Sequence, residues 1–301
     1  MGKFIRNLFV FAGCFLLVIA GLVVLSAFLV RLPKANIAPE KHILVLGDSH
    51  TECAVDDSVF IRSANFSKSA TAYIYTYGAI KKLVADNPQI DTVLLSFQFT
   101  SLIYERERGW IYNDALMPSK IPVYLPLLGL SDLGVFISTP AFYKSAARTP
   151  LVCAEYYYQL TRGTGDDWWH DNIGRHLSLP YSKLDEIVAS TTRYEELKRK
   201  DSISSVQLEY LLKIGAFCRQ RGIMLVLINT PVYKHEVYTG YQAYERNRQR
   251  YLSGFRFLDY SGFALPDSCF ADLVHLNGTG ARIFSAYLQN HLSTDLQRQK
   301  N

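Results

Sequence analysis

The sequence has few cysteines, and their spacing excludes two kinds of small domain. Five cysteines are spread over 301 residues, without the close pairs that zinc sites and small disulfide scaffolds require. The four outside the N-terminal apolar segment permit two disulfide bonds, but free buried thiols fit the spacing at least as well. No set of metal-ligating side chains is evident, so we expect neither a metal nor another cofactor.

Internal repeats and low-complexity segments are also absent, and the short basic clusters at residues 198–200 and 297–300 are interpreted as solvated surface. The net charge is +5, but the basic residues are scattered, which excludes the basic surface of a nucleic-acid-binding protein. The composition is 49% hydrophobic and 20% charged, enough for one large domain or two small ones with a substantial core. We therefore expect a globular domain without a nucleic-acid partner.

A long apolar segment lies near the N-terminus. Residues 8–30 hold no charged side chain, and a helix of this length extends about 34 Å, enough to cross a bilayer. Lys3 and Arg6 precede the segment, and a short basic end favours the cytoplasmic side. We predict an uncleaved anchor over residues 1–31 in the cell membrane, with the remaining chain outside the cytoplasm.

Beyond a proline-containing linker at residues 32–41, apolar runs alternate with helical patterns. The alternation indicates an α/β fold in which helices cover both faces of a mostly parallel sheet. Residues 65–69 are predicted as a polar loop. Strands are predicted at 42–46, 92–97, 223–228 and 255–258, and helices at 51–62, 71–86, 202–220, 241–251 and 277–292.

Two regions depart from this alternation. Residues from about 100 to 200 contain repeated prolines and aromatic clusters, and we interpret them as a large insertion with short helices. Residues 293–301 are predicted to form a polar tail. The main domain therefore extends over residues 42–292 and includes the insertion.

Gly47-Asp48-Ser49 directly follows the first predicted strand. In a parallel α/β sheet, ligands bind at the carboxyl ends of the strands. Ser49 is expected on the turn into a helix, where free N–H groups and the helix dipole stabilise an anion or oxyanion. Taken alone, the tripeptide also fits an ordinary turn.

Asp272 and His275 stand three residues apart, just before the last predicted helix. A catalytic serine needs an imidazole to accept its proton and a carboxylate to orient that imidazole. One loop supplies both groups when Asp and His have this spacing. Taken singly, the two residues also fit a turn and a surface histidine.

The two motifs together resemble those of the SGNH/GDSL hydrolase superfamily. Gly47-Asp48-Ser49 is similar to its first block, and Asp272-x-x-His275 to its last block. The resemblance implies a three-layer αβα, flavodoxin-like fold after the transmembrane helix. It also implies a role for each residue: Ser49 as nucleophile and, through its N–H, oxyanion donor, His275 as general base, and Asp272 as its orienting partner.

The middle blocks of that superfamily are altered here. The second block falls at residues 65–69, where no glycine is present and Ser67 matches best by position. The third block, normally Gly-x-Asn, is replaced by Ser96-Phe97-Gln98, and the Gln98 amide can still donate a hydrogen bond. By resemblance, Ser67 and Gln98 are therefore the remaining candidates for the oxyanion hole.

With its N-terminal anchor and altered middle blocks, the chain resembles SGNH-like proteins of cell-envelope modification. Examples are the proteins of alginate O-acetylation and of teichoic acid D-alanylation. The resemblance implies acyl transfer, with acetyl the expected group, through acyl-Ser49 to a hydroxyl of a cell-surface glycan. A membrane-bound O-acyltransferase is then a candidate partner. A simple carbohydrate O-acetyl esterase and a catalytically silent glycan-binding module remain as alternatives.

Five further residues are candidates for substrate contact. His50 follows the nucleophile and points either to substrate or to solvent, with solvent slightly favoured. The paired tryptophans of the insertion either stack on a sugar or pack against other aromatic side chains, which is the commoner arrangement. The five candidates are Asp48, His50, Asn229, Trp168 and Trp169.

Overall fold

A computed structural model of the chain describes residues 1–98, 100–182, 203–233 and 241–298. The fold is α/β, as expected, with five strands in the order β2-β1-β3-β4-β5 and all pairings parallel. The strands are β1 (Ile43–Leu46), β2 (Ser63–Asn65), β3 (Thr92–Ser96), β4 (Met224–Asn229) and β5 (Arg256–Asp259).

The central strands are apolar because both faces of the sheet are covered. Every residue of β1 and β3 is buried, which explains why they are continuous apolar runs in the sequence. The edge strand β2 was not predicted, and its last residue, Asn65, had been assigned to a loop. With three residues, two of them polar, β2 carries no apolar pattern.

The helices follow from right-handed crossovers between parallel strands. The crossover from β1 to β2 runs opposite to the later ones, so its helix covers one face of the sheet, and the helices directly before β3, β4 and β5 cover the other. The last helix packs on the first face, where the Asp56 N–H donates to the Ser285 hydroxyl at 2.8 Å. The helices are α1 (Gly2–Arg31), α2 (Ser49–Ala54), α3 (Tyr73–Asp86), α4 (Tyr104–Trp110), α5 (Met117–Tyr124), α6 (Pro140–Ala146), α7 (Thr149–Thr161), α8 (Gly165–Asn172), α9 (Ser205–Gln220), α10 (Tyr241–Leu252) and α11 (Gly278–Arg298).

Two helix boundaries differ from the prediction. Helix α2 ends at Ala54 because Val55 is extended, whereas the sequence pattern predicted a helix to residue 62. Helix α11 continues to Arg298 with Leu296 buried, so the expected polar tail is helical through residue 298. Residues 299–301 lie outside the described residues.

Helix α1 is long and apolar enough to cross a membrane by length and composition, and it is the only such helix among the described residues. The insertion that follows β3 consists of α4 to α8 and short 3-10 segments. Residues 183–200, at the end of the predicted insertion, lie outside the described residues.

All five cysteines lie in the described part of the chain and are free thiols. Cys53, Cys218 and Cys269 are buried and pack as small apolar side chains. Burial raises the pKa of the Cys53 thiol, with nearby carboxylates acting in the same direction. Cys53 therefore stays protonated and unreactive although it follows Ser49 closely in sequence.

Candidate active site

The site begins at Gly47, where the chain leaves β1. Gly47 has a φ of +144°, and a Cβ added there would lie 2.2 Å from the Ser96 Cβ. No side chain fits this position. The close approach brings the end of β3 against the turn that carries the candidate nucleophile.

Asp48 and Ser96 fix the start of α2. Asp48 is the N-cap of this helix and accepts a hydrogen bond from the His50 N–H at 3.1 Å. The Ser96 hydroxyl donates to the same carboxylate oxygen at 2.8 Å. Ser49 is thus the first residue of α2, where backbone N–H groups have no intrahelical acceptor.

The structure brings Ser49, His275 and Asp272 together. His275 Nε2 lies 2.8 Å from the Ser49 hydroxyl oxygen, and His275 Nδ1 lies 2.8 Å from an Asp272 carboxylate oxygen. Ser49 is partly exposed. The three side chains are thus hydrogen-bonded in the order nucleophile, base and orienting acid.

The loop before α11 holds Asp272 ionised. Burial acts to raise the pKa of Asp272, but hydrogen bonds from the His275 ring and from the N–H groups of Val274 and His275 outweigh it, so its pKa lies below the usual range. Asn277 closes the loop, since its amide donates to Ser268 and Phe270 carbonyls. Asn277 also caps α11, because its side chain accepts from the Thr279 N–H.

Residues 65–69, at the position of the second block, offer no free backbone N–H at the predicted oxyanion position. The Ser67 N–H donates to Asn65 Oδ1 at 2.9 Å, and the Lys68 N–H donates to the Gly47 carbonyl at 3.1 Å. The Ser67 hydroxyl, in contrast, is buried without a hydrogen-bond partner among the described residues. Any donation by Ser67 must therefore come from its side chain.

Gln98 lies just beyond the end of β3 with an unpartnered amide. Both its Nε2 and its Oε1 are buried and have no hydrogen-bond partner within the described chain. Leu46 pairs with Leu95 in the sheet, so Gln98 and Ser49 each lie three residues further along neighbouring strands. A buried unpaired amide is costly in free energy, which makes Gln98 a candidate for a ligand-directed group.

Sequence reasoning missed two supporting residues. The Asn65 amide donates to the carbonyls of Thr51 and Val55, and so ties the end of α2 to β2. The buried Tyr73 hydroxyl donates to the Ser96 carbonyl at 2.8 Å. Tyr73 stands in no recognisable motif. Asn65 begins the segment at the position of the second block, but only recognition of β2 would have placed it at the carboxyl edge of the sheet.

Three predicted substrate contacts are instead internal supports. Asp48 is buried and is the N-cap of α2. His50 is only 2% exposed, and its Nδ1 lies 3.1 Å from the Val274 carbonyl; the preference for solvent was therefore wrong. The Asn229 amide donates to Asp259 at 3.0 Å, which directs it along the sheet edge.

The paired tryptophans form the core of the insertion. Trp168 and Trp169 are each 1% exposed. Trp169 Nε1 donates to the Tyr156 hydroxyl at 2.9 Å, and the Tyr156 ring lies 4.4 Å from that of Trp168 between centroids. Packing against other aromatic side chains is thus the correct alternative, and neither ring offers a face to a sugar.

A polar cleft of about 770 Å³ adjoins the loop that carries the candidate base. It lies beside the start of α11 and is within the size range of small-ligand sites. Its wall includes Asp56, His170, Arg175, His176 and Arg282. In the part of the chain that the structure describes, no group of three or more His, Cys, Asp or Glu residues is placed to hold a metal.

The model of an uncharacterised protein family matches residues 181–297. This segment includes Asp272 and His275 but excludes Ser49, and it covers less than half of the chain. No curated protein matches the sequence.

Proposed function

We propose that the chain is a membrane-anchored serine acyltransferase or esterase of the SGNH type. It acts outside the cytoplasm on O-acyl groups, with O-acetyl the expected one, of a cell-surface polysaccharide. The observation that carries the proposal is the pair of 2.8 Å contacts that join Ser49, His275 and Asp272. Three side chains from opposite ends of the domain meet in an order that nucleophilic catalysis requires.

The reaction proceeds in two steps at Ser49. The serine oxygen attacks the ester carbonyl while His275 Nε2 accepts the serine proton, and Asp272 stabilises the imidazolium. The tetrahedral intermediate collapses when the leaving alcohol takes that proton, which leaves acyl-Ser49. An acceptor hydroxyl, from a sugar or from water, then gives its proton to His275 and attacks the acyl group. The acyl–Ser49 bond breaks as His275 returns that proton to the Ser49 oxygen, which restores the serine.

The fold supports the SGNH assignment. The strand order β2-β1-β3-β4-β5 is that of flavodoxin-like doubly wound sheets, in which ligands bind at the carboxyl edge. Ser49 follows β1 at that edge, and Asp272 and His275 precede the last helix. Both placements agree with the first and last blocks of the superfamily.

The oxyanion donors favour transfer over hydrolysis. The Ser49 N–H, the Gln98 amide and the Ser67 hydroxyl are the candidate donors, since the Ser67 N–H is already bonded. Loss of one donor costs about 100- to 1,000-fold in rate. A sugar hydroxyl bound beside Ser49 has a high effective concentration, so it competes well with water in such a slow site.

The surroundings of the site support a polar acceptor outside the bilayer. The cleft beside α11 has basic and acidic walls, which suits a hydroxyl-rich or charged glycan. Tyr73 lies near the site, and Lys82 donates to the Arg31 carbonyl at the end of α1. The two residues are nine positions apart in α3, or about 14 Å along the helix. A membrane-bound O-acyltransferase remains the proposed source of the acyl group.

The two alternatives differ in support. A carbohydrate O-acetyl esterase uses the same three residues and differs only in the attacking hydroxyl. A catalytically silent glycan-binding module would bind sugar rings through the aromatic side chains of the insertion, but the tryptophans of the insertion are buried. Moreover, pure binding gives no reason for the hydrogen-bonded series from Ser49 to Asp272.

Transfer and hydrolysis are separated by the intact mass of the protein after exposure to p-nitrophenyl acetate. A lasting acetyl adduct that Ser49→Ala abolishes would indicate a nucleophile with slow hydrolysis, as a transferase requires. Rapid nitrophenol release without an adduct would indicate an esterase. Absence of both signals in the folded wild-type protein would count against the enzymatic proposal for this acyl group.

A further inference from the structure

The second half of α1 is packed against the insertion. Apart from Leu29, the residues of this half that are buried or partly buried lie three or four positions from one another, so they share one face of the helix. The Tyr157 hydroxyl of α7 donates to the Leu29 carbonyl at 3.0 Å, and Cys153 lies close to Ser26. The residues on the packed face are Ile19, Val23, Ser26, Ala27 and Val30.

The free half of α1 is too short to cross a bilayer alone. Its apolar part, residues 8–18, extends about 16 Å, whereas the hydrocarbon core of a bilayer is about 30 Å thick. About nine more residues are needed, which reach to about Ala27. A membrane-spanning α1 therefore takes part of its packed half, and with it part of α7, to the depth of the hydrocarbon.

Helix α7 has an apolar stripe beside α1. Leu151, Ala154 and Tyr158 are spaced i, i+3 and i+7 and are exposed, with Leu151 at 70% and Tyr158 at 60%. Glu155, which is also exposed, borders this face on the side away from α1. Ala154 and Tyr158 directly follow Cys153 and Tyr157, which meet Ser26 and Leu29 of α1. The stripe is therefore continuous with the surface of α1.

The segment that joins α1 to the sheet is fastened to the domain. Lys82 Nζ donates to the carbonyls of Arg31 and Pro33, each at 2.8 Å. The Ala35 N–H donates to Asp86 at 2.8 Å. These bonds fix the direction in which α1 leaves the domain, so a bilayer that holds α1 also meets the stripe on α7.

We propose that the stripe formed by Leu151, Ala154 and Tyr158 is a bilayer-contacting surface. It seats the domain in the headgroup region instead of leaving it on a free tether, and it sets the height of Ser49 above the membrane. This inference rests on the membrane anchoring included in the proposed function, and it does not depend on the catalytic role of Ser49.

The chemistry of the stripe fits lipid. Aliphatic side chains face the acyl chains, and tyrosines with basic neighbours favour the headgroup level. The Tyr158 hydroxyl accepts from Arg162 Nη1 at 3.0 Å, so the exposed Arg162 supplies a positive charge beside the stripe. Leu130, 90% exposed, follows Leu128, whose carbonyl accepts from Arg31 Nη2 at 2.7 Å, so it lies near the same level.

The test uses the full chain in phosphatidylcholine–phosphatidylglycerol vesicles. Nitroxide labels are attached at Leu151→Cys or Tyr158→Cys in a Cys14→Ala background, and collisions with oxygen and with a water-soluble nickel chelate are compared. Two reference sites bracket the scale: Leu17→Cys in α1, and Ile283→Cys on α11, an apolar residue 44% exposed.

We expect both α7 sites to give an oxygen-to-nickel ratio several-fold above that at Ile283→Cys and near that at Leu17→Cys. Ratios equal to Ile283→Cys, with Leu17→Cys in lipid, would overturn the proposal because the domain would then stand clear of the bilayer. Low collision rates with both reagents would also overturn it, since another protein surface would cover the stripe. A label at Leu17→Cys that is exposed to water would show that α1 does not lie in the bilayer, and this would also overturn the proposal.

Labelling of Ser49 by a fluorophosphonate on the same samples separates the two proposals. Lipid contact at α7 without Ser49 labelling would leave the bilayer surface standing and count against the enzyme. Labelling of Ser49 in a protein whose α7 sites face water would support the enzyme and count against the bilayer-contacting surface.

Discussion

His275 follows Ser49 by 226 residues, yet its Nε2 lies 2.8 Å from the Ser49 hydroxyl oxygen. The other ring nitrogen faces Asp272 at the same distance. The loop before α11 therefore covers the end of β1 and completes a path for one proton.

Asp272→Asn should lower kcat by about 10,000-fold, because the amide cannot hold the imidazole in the required tautomer. The thermal unfolding midpoint should change little, since the loop keeps its Asn277 bonds. Ester hydrolysis and thermal unfolding of the same preparation measure both effects. Asp267→Asn is the matched control: Asp267 accepts from the Tyr233 hydroxyl, outside the triad, so its activity should persist. Equal losses in the two variants would argue against a special role for Asp272.

Gln98→Leu should separate activity from stability. Replacement of an amide that is buried without partners in the described chain is expected to leave the free energy of unfolding unchanged or higher. The rate of Ser49 acylation should fall about 100-fold if the amide stabilises the oxyanion.

Gln207→Leu provides the opposite control, because Gln207 Oε1 accepts from the Tyr73 N–H at 2.9 Å. This variant should lose stability and keep most of its acylation rate per folded molecule. Urea unfolding and pre-steady-state acylation measure the two quantities. Unchanged acylation in Gln98→Leu would remove Gln98 from the oxyanion hole.

Lys120 should make stability depend on pH. Burial lowers the pKa of Lys120 to about 7, although its Nζ donates to the Ser69 carbonyl and the Thr71 hydroxyl. Between about pH 7 and 10.5 the unfolded chain holds a proton that the folded chain lacks, so the folded state gains stability as pH rises.

Relative to Lys120→Met, the wild-type free energy of unfolding should rise with pH across this window by up to about 1.4 kcal/mol per unit. Urea unfolding of both proteins at pH 7 and pH 9 measures the difference. Parallel pH profiles would show that Lys120 is charged in the folded protein.

Trp168→Ala should destabilise the insertion by about 3–5 kcal/mol, the usual cost of removing a buried large aromatic side chain. Because the ring has no exposed face, KM for a glycan substrate should not change in molecules that remain folded. Thermal unfolding and steady-state kinetics below the transition distinguish the effects. A raised KM with an unchanged unfolding midpoint would restore Trp168 as a sugar contact.

The parts of the fold that sequence predicts best are those with local causes. Buried parallel strands are apolar throughout, so β1, β3 and β4 were found to within about a residue. The three-residue β2 has no such pattern, because its stability comes from pairing with β1. Hence the contribution of Asn65, which depends on that pairing, was missed.

The candidate site divides in the same way. Ser49, Asp272 and His275 were selected because their chemistry demands those residue types, and the structure brings them together. The side chains of His50 and Asn229 were misplaced, and for Trp168 the sequence left sugar contact and aromatic packing both open, since burial and partner choice are tertiary properties. Polar or aromatic character near a motif does not reveal whether a side chain faces the cleft or the core.

The most direct measurement is fluorophosphonate labelling of the full chain, followed by identification of the modified residue. We predict one adduct, on Ser49, that disappears in Ser49→Ala and is strongly slowed in His275→Ala, because the base activates the hydroxyl. Ser58→Ala, which removes an exposed hydroxyl, should label as the wild type does. A folded wild-type protein that reacts no faster than His275→Ala would contradict the central claim that Ser49 is an activated nucleophile.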